Sequence, residues 1–226
     1  MAKTIVDSGF TDWKPDGLPD LIGKTYVITG GNSGIGFDAA RILGKAGGNL
    51  VLACRSLDKA EAAKRALATE VRGTIALIQL DLSDLSSVRK AAEEIRRDHA
   101  RIDGLINNAG IMQTPKLTTK EGFELQFGTN HLGHFLWTSR LMDLVEAAQG
   151  RVVVVSSIAH KYGTIDLDDL MWTKNYSPSK AYFRSKLANV MFAFELDRRL
   201  EAKACKAVCI ACHPGYAGTN LQSTGP

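Results

Sequence analysis

Tyr182-Phe183-Arg184-Ser185-Lys186 sets a phenol and an ammonium four residues apart. On a helix that spacing puts both groups on one face. Free tyrosine titrates near ~10 and lysine near ~10.4, too high for a base at neutral pH. A fixed positive charge close by lowers an acidic group by about 1–3 pH units, so the pair predicts a proton donor and acceptor. Residues 177–201 read as the helix that carries it, with Leu187, Val190, Met191 and Phe194 on its apolar face. Tyr176 and Lys180 share the same spacing, but Ser177 and Pro178 read as that helix's cap and first turn. Tyr176 then falls outside the helix, and Tyr182 is preferred. Ser156-Ser157 close a run with four consecutive valines, 152–155. Such a run suits a strand buried on both faces, and ligands gather at the carboxyl ends of parallel strands. Ser157 is the favoured polar partner, with Ser156 as second choice.

Two other groupings suggest chemistry and lose it on inspection. Cys209 and Cys212 form a C-x-x-C, but residues three apart on a strand point to opposite faces. Small core cysteines are the expectation. His131 and His134 have no third ligand at metal-binding spacing and read as structural. Trp13, Trp137 and Trp172 read as packing residues. No metal is expected.

The tyrosine–lysine helix acquires meaning from a turn upstream. Thr29-Gly30-Gly31-Asn32-Ser33-Gly34-Ile35-Gly36 joins a β-rich run, 25–29, to an amphipathic stretch, 34–46. Glycines there let the chain turn sharply, approach a pyrophosphate and pack helix on strand. Free N–H groups at the helix start then meet phosphate charge. The spacing is G-x-x-x-G-x-G. Its place between the first strand and first helix predicts dinucleotide binding through Gly30, Asn32, Ser33, Gly34, Ile35 and Gly36. An acidic residue closing the second strand would bind the ribose 2′-hydroxyl of NAD. Here the strand ends Ala53-Cys54-Arg55-Ser56, and no acid appears before Asp58. The fork of donors on Arg55 suits a 2′-phosphate. NADP(H) is expected in preference to NAD(H).

These residues need a scaffold that brings three distant segments together. Strand-like runs at 25–29, 49–54, 74–80, 102–106, 151–156 and 206–212 alternate with helical patterns at 34–46, 57–71, 85–99, 119–148 and 177–201. That alternation predicts an α/β single-domain Rossmann fold with a doubly wound, mostly parallel sheet. Residues 1–23 read as an N-terminal extension and 24–226 as the domain. The 226 residues suffice for one core, and a net charge of +4 is far from the basic stripe of a nucleic-acid binder. No run reaches the ~18 apolar residues of a membrane span. The polar N-terminus does not read as a signal peptide, so a cytoplasmic protein is expected.

The glycine turn, Asn107-Asn108-Ala109-Gly110, Ser156-Ser157, Tyr182 with Lys186, and Pro214-Gly215 with Thr219 together resemble the short-chain dehydrogenase/reductase family over about residues 23–220. Ala53-Cys54-Arg55, Asn130-His131-Leu132-Gly133-His134-Phe135 and Ser185-Lys186-Leu187-Ala188-Asn189 are similar to retinol dehydrogenases, WW-domain oxidoreductases and light-dependent protochlorophyllide reductases. The resemblance implies an oxidoreductase that interconverts an alcohol and a ketone or aldehyde on a small, apolar molecule. Ser157 would polarise the substrate oxygen and Tyr182 would exchange its proton. Lys186 would tune Tyr182 and anchor the nicotinamide ribose, and Asn130 would hold a relay water. Asp81 and Leu82 would contact adenine, and Asn108, Ala109 and Gly110 the adenosine side. Pro214, Gly215 and Thr219 would frame the nicotinamide.

Family members continue past Pro-Gly into a substrate lid, another helix and a seventh strand. The resemblance therefore implies that the lid and last strand are absent from this sequence. Residues 159–176 are longer than the usual serine-to-tyrosine connection and are expected to cover the pocket. A homo-oligomer is compatible with the resemblance. Two other functions fit parts of the pattern: reduction of a conjugated C=C bond, and an NADP(H)-binding sensor or scaffold without turnover. The first lacks its loop insertion, and the second would not need all four catalytic positions filled.

Overall fold

The computed structural model describes residues 14–215. Six strands form one sheet: β1 Thr25–Thr29, β2 Asn49–Cys54, β3 Ile75–Gln79, β4 Gly104–Asn107, β5 Arg151–Val155 and β6 Val208–Cys212. All pairings are parallel, in the order β3-β2-β1-β4-β5-β6. The chain winds outward from β1 to β3, then returns to lay β4 on the other side of β1. The direction of winding reverses between β1 and β4, where a sheet of this kind opens a crevice at its carboxyl edge. Thr29 and Asn107, both buried, are the last residues of these two strands.

Alternation along the strands builds a core on each face. Val27, Val51, Ala53, Leu105, Val152 and Val154 pack against α3 Leu85–Asp98, α5 Gly133–Ala148 and α6 Pro178–Ala202, with Trp137 fully buried among them. Ile28, Leu50, Leu52 and Cys54 face the opposite way, against α1 Gly34–Lys45 and α2 Leu57–Leu67. Each fully buried Leu, Ile or Val contributes roughly 1.5–3 kcal/mol relative to exposure. The valine run of β5 departs from expectation. Val152 and Val154 are buried, but Val153 and Val155 are half-buried, because the second core draws its strand residues from β1 to β4.

The long helix expected over 119–148 is broken into pieces. Residues 118 and 124 form an antiparallel bridge, and Gly122 takes φ +85°. The Glu124 carboxylate then accepts from the N–H groups of Gln126 at 2.9 Å and Phe127 at 2.7 Å, capping the single turn α4 Leu125–Phe127. A π turn, Gly128–Leu132, follows before α5 begins. Periodicity alone misses this because the apolar spacing carries through the whole segment. The capping carboxylate and Gly122 end one element, and a side chain at Gly128 would collide with Thr119. Such π turns recur at functional positions in helices, and Asn130 sits at the centre of this one.

Candidate active site

The glycine turn and the Asn107–Gly110 segment are built against each other across the crevice. Gly30 takes φ +68°, and a side chain there would lie 3.1 Å from the Ala109 Cα. At Gly36 a Cβ would stand 2.5 Å from the Asn108 amide nitrogen and 2.6 Å from the Gly30 carbonyl oxygen. Asn108 is fixed by that fit: its side-chain amide donates to Thr29 O at 2.9 Å. Its own N–H and that of Ala109 donate to the Thr29 hydroxyl at 2.9 and 3.0 Å. α1 therefore begins in a space that any side chain would fill.

Its start also suits an anion. The Ser33 hydroxyl at the N-cap makes no capping bond, and the first turn holds no acid. In α2, α3 and α6 the caps Ser56, Asp84 and Ser177 each accept from their own helix. The groups left over at α1 are those a phosphate would take. Arg55 follows β2 directly, is exposed, and pairs with no carboxylate among the described residues. The Cys54 thiol beneath the turn is pushed up to about 11 by burial, so it is an inert filler. Asp81 commits one carboxylate oxygen to Ser83 N and Oγ, at 2.9 and 2.6 Å. The Leu82 side chain lies in the core, which leaves its main chain for any ligand.

On the other wall, β5 delivers Ser156 and Ser157, and α6 delivers Tyr182 and Lys186. The two serines divide their tasks. Ser156 is buried and donates to Lys186 O at 2.8 Å, pinning α6 to the strand end. Ser157 is half-buried, caps the 3-10 turn Ile158–Tyr162 by accepting from Ala159 N at 3.2 Å, and comes near enough to the Tyr182 phenol to pull its pKa down. Lys186 is buried, with Nζ donating to Val155 O at 3.1 Å and lying 5.7 Å from the Tyr182 ring centre. Burial pulls its ammonium down to about 8.

The lowering of Tyr182 expected from Lys186 does not appear. Burial raises the phenol above its ordinary range, and the Ser157 hydroxyl is the influence that lowers it. The amine is itself desolvated and bonds a carbonyl rather than the phenol. Asn130 accepts from Ile111 N at 2.9 Å and donates to Ile111 O at 2.9 Å and to Ser185 Oγ at 3.0 Å. A side chain at Gly110 would sit 3.2 Å from Asn130 Oδ1 and 3.6 Å from Lys186 Nζ. Asn130, Gly110 and Lys186 thus share one pocket. Pro214 and Gly215 follow β6, while Thr219 lies outside the described residues.

Tyr176, the rejected alternative, precedes the cap Ser177 and faces elsewhere. Its hydroxyl accepts from Gln126 Nε2 at 3.0 Å, and its proton serves Thr114 O or Glu124 Oε1. It is a hub between α4 and α6. Sequence reasoning missed this network, and also Arg184. That side chain is buried, donates to the carbonyls of Thr164, Asp169 and Leu170, and stacks 4.0 Å over Trp172. It ties 164–172 to the helix that carries Tyr182. Arg184 stands between Tyr182 and Lys186 in the motif, which was the available signal. Cys209 is buried and Cys212 exposed, both as free thiols. No three potential metal ligands converge among the described residues.

The described geometry joins a glycine-lined helix start to a Ser–Tyr–Lys group across a parallel-sheet crevice. The family model for short chain dehydrogenase matches residues 24–225. The chain belongs to the short-chain dehydrogenase family. Human retinol dehydrogenase 13 is 47% identical to it over 206 residues, covering 88% of this chain. The chain spans 60% of that relative's length. A crystal structure of a putative uncharacterized protein from Mycobacterium paratuberculosis has 47% identity and a TM-score of 0.84, covering 94% of this chain and 76% of that one. The Pseudomonas aeruginosa RhlG/NADP active-site complex shares the fold at 23% identity and TM-score 0.74, covering 90% and 77%. The all-parallel, doubly wound sheet and the similarity to retinol dehydrogenases agree with the expectations drawn from the sequence. Among the described residues no helix is long and apolar enough to cross a membrane.

Proposed function

We propose that this chain binds NADP(H) and interconverts an alcohol and a ketone or aldehyde on a small, apolar molecule. The observation that carries the reading is the placement of Ser157, just past the carboxyl end of β5, close to the buried Tyr182 on α6, with Lys186 buried beside that ring. The glycine turn and the open start of α1 would hold the pyrophosphate, and Arg55 the 2′-phosphate. Bound nucleotide supplies or takes the hydride.

The chain's own residues manage the proton and the oxygen. In the reducing direction, the Ser157 hydroxyl donates a hydrogen bond to the carbonyl oxygen and polarises it. Tyr182 gives that oxygen its proton as negative charge develops there. Alcohol oxidation runs the same transfer backwards. Lys186, still mostly protonated at pH 7 with a pKa of about 8, would anchor the nicotinamide ribose beside Tyr182. Asn130 shapes the wall of that pocket through its bonds to Ile111 and Ser185, and would hold a water that relays protons toward Lys186. Residues 159–176, of which 164–172 are tied down by Arg184, would cover the substrate pocket.

Tyr182→Phe tests the reading. NADPH consumption against a panel of aldehydes and ketones is expected to fall by about 10²–10⁴-fold, the usual worth of a placed acid/base. NADPH affinity by fluorescence titration should hold, since the glycine turn is untouched. A variant that keeps its turnover would defeat the assignment, and one whose wild-type parent shows only binding would favour a sensor.

A further inference from the structure

Two fully enclosed polar residues, Thr29 and His134, are not accounted for by the proposed chemistry, although they join its two walls. Thr29 is 0% and His134 3% exposed. His134 Nε2 lies 2.8 Å from Thr29 Oγ1, and Nδ1 lies 3.0 Å from the Asn130 main-chain oxygen. A carbonyl can only accept, so the ring proton must sit on Nδ1. Nε2 is then the acceptor, and the Thr29 hydroxyl donates to it at 2.8 Å in preference to the Ile106 carbonyl, the other acceptor in reach, at 3.4 Å. Both lone pairs of that hydroxyl are already taken by the N–H groups of Asn108 and Ala109. A doubly protonated ring would press an N–H on an oxygen with nothing left to offer. The titratable groups facing it, Lys186 and His131, also disfavour a charge there, and burial is the larger influence, pushing the imidazole down to about 3.

The chain of bonds continues past Asn130. Its amide grips the Ile111 main chain in both directions and donates to Ser185 Oγ. Ser185 Oγ donates in turn to Tyr182 O at 2.8 Å. One connected series therefore runs from the strand end under the glycine turn, through His134 and the π turn, to the helix bearing Tyr182 and Lys186. We infer that His134 is a positioning residue: as its Nδ1–H tautomer it holds the Asn130 carbonyl and, through Asn130 and Ser185, sets Tyr182 and Lys186 against the glycine turn. This rests on the role proposed above for Tyr182 and Lys186.

Paired substitutions separate positioning from filling. Asparagine presents an amide near the place of Nδ1 and keeps the bond to Asn130 O. Glutamine reaches toward Thr29 instead and loses it. His134→Asn is expected to keep kcat within about threefold of wild type, whereas His134→Gln should lose about tenfold in kcat with KM and NADPH affinity little changed. Each variant leaves one buried partner unsatisfied, Thr29 Oγ1 in the first and Asn130 O in the second, so their melting temperatures should fall alike. The tautomer is read independently of turnover, by ¹⁵N–¹H correlation of the imidazoles in the nucleotide-free wild-type chain. The His134 signals should show Nδ1–H and stay fixed from about pH 5 to 8, the range in which an ordinary histidine titrates. An Nε2–H tautomer, a titrating ring, or equal kcat losses in the two variants would overturn the inference. Turnover by Tyr182→Phe would instead sink the reading of the site and this inference with it. Should either His134 variant fail to fold, the tautomer still decides.

Discussion

Among the described residues Lys186 is a buried cation without a carboxylate partner, and that arrangement has a measurable cost. Its ammonium is drawn from an ordinary 10.5 to about 8 by desolvation. At about 1.36 kcal/mol per pH unit, folding the charged form costs on the order of 3 kcal/mol. Replacing it by methionine, similar in length and at home in apolar space, removes that cost and one hydrogen bond to Val155 O worth about 1 kcal/mol. Lys186→Met should therefore be more stable than wild type by about 2 kcal/mol at pH 7. The sign with pH follows from proton binding. Between about 8 and 10.5 the unfolded chain holds the Lys186 proton and the folded chain does not, so wild-type stability rises with pH in that window. The variant lacks this contribution, and its advantage should shrink steadily from pH 8 toward pH 10. Urea unfolding of both nucleotide-free proteins at pH 7, 8.5 and 10 measures the difference directly. An advantage that is absent at pH 7, or one that does not change with pH, would refute the claim that the amine is held desolvated. Turnover by Lys186→Met is expected to be lost, which makes the lysine a functional residue kept against stability.

Two further outcomes follow from groups at the edges of the site. Arg55→Ala should weaken NADPH binding by about 10- to 100-fold, as expected for loss of a charge-assisted hydrogen bond of about 1.5–3 kcal/mol, and leave NADH affinity unchanged; equal effects on the two nucleotides in a calorimetric titration would remove Arg55 from the 2′-phosphate. Arg184→Met removes three bonds to carbonyls and the stack on Trp172. Amides in 164–172 should then exchange hydrogen about 100-fold faster, corresponding to about 3 kcal/mol of local stability, while those of β1, β2 and β4 keep their protection; unchanged exchange in the loop would show that it is held by other contacts.

The parallel sheet was readable because its strands are short apolar runs separated by amphipathic helices of crossover length. The two tyrosine–lysine pairs were separable for a similar reason: Ser177 and Pro178 mark a helix start, and the structure caps α6 there with the Ser177 hydroxyl. Legibility failed where tertiary contacts rather than local pattern decide the backbone. Nothing in the spacing of 119–132 announces a π turn, which depends on Glu124 capping, on Thr119 lying over Gly128, and on Asn130 bonding a segment 19 residues away. His134 reads from sequence as one more buried helix residue; only the approach of Thr29, 105 positions earlier, gives its ring a direction. The Tyr182 pKa failed for a different reason, since sequence spacing gives the neighbour but not the desolvation of both groups.

A crystal structure of the chain with NADP⁺ tests the central claim most directly. The account expects the pyrophosphate on the Gly30–Gly36 turn and the nicotinamide ribose within about 2.6–3.2 Å of Lys186 Nζ, with the ring beside the Tyr182 hydroxyl. A nucleotide bound with its nicotinamide end away from Tyr182 and Ser157 would contradict it.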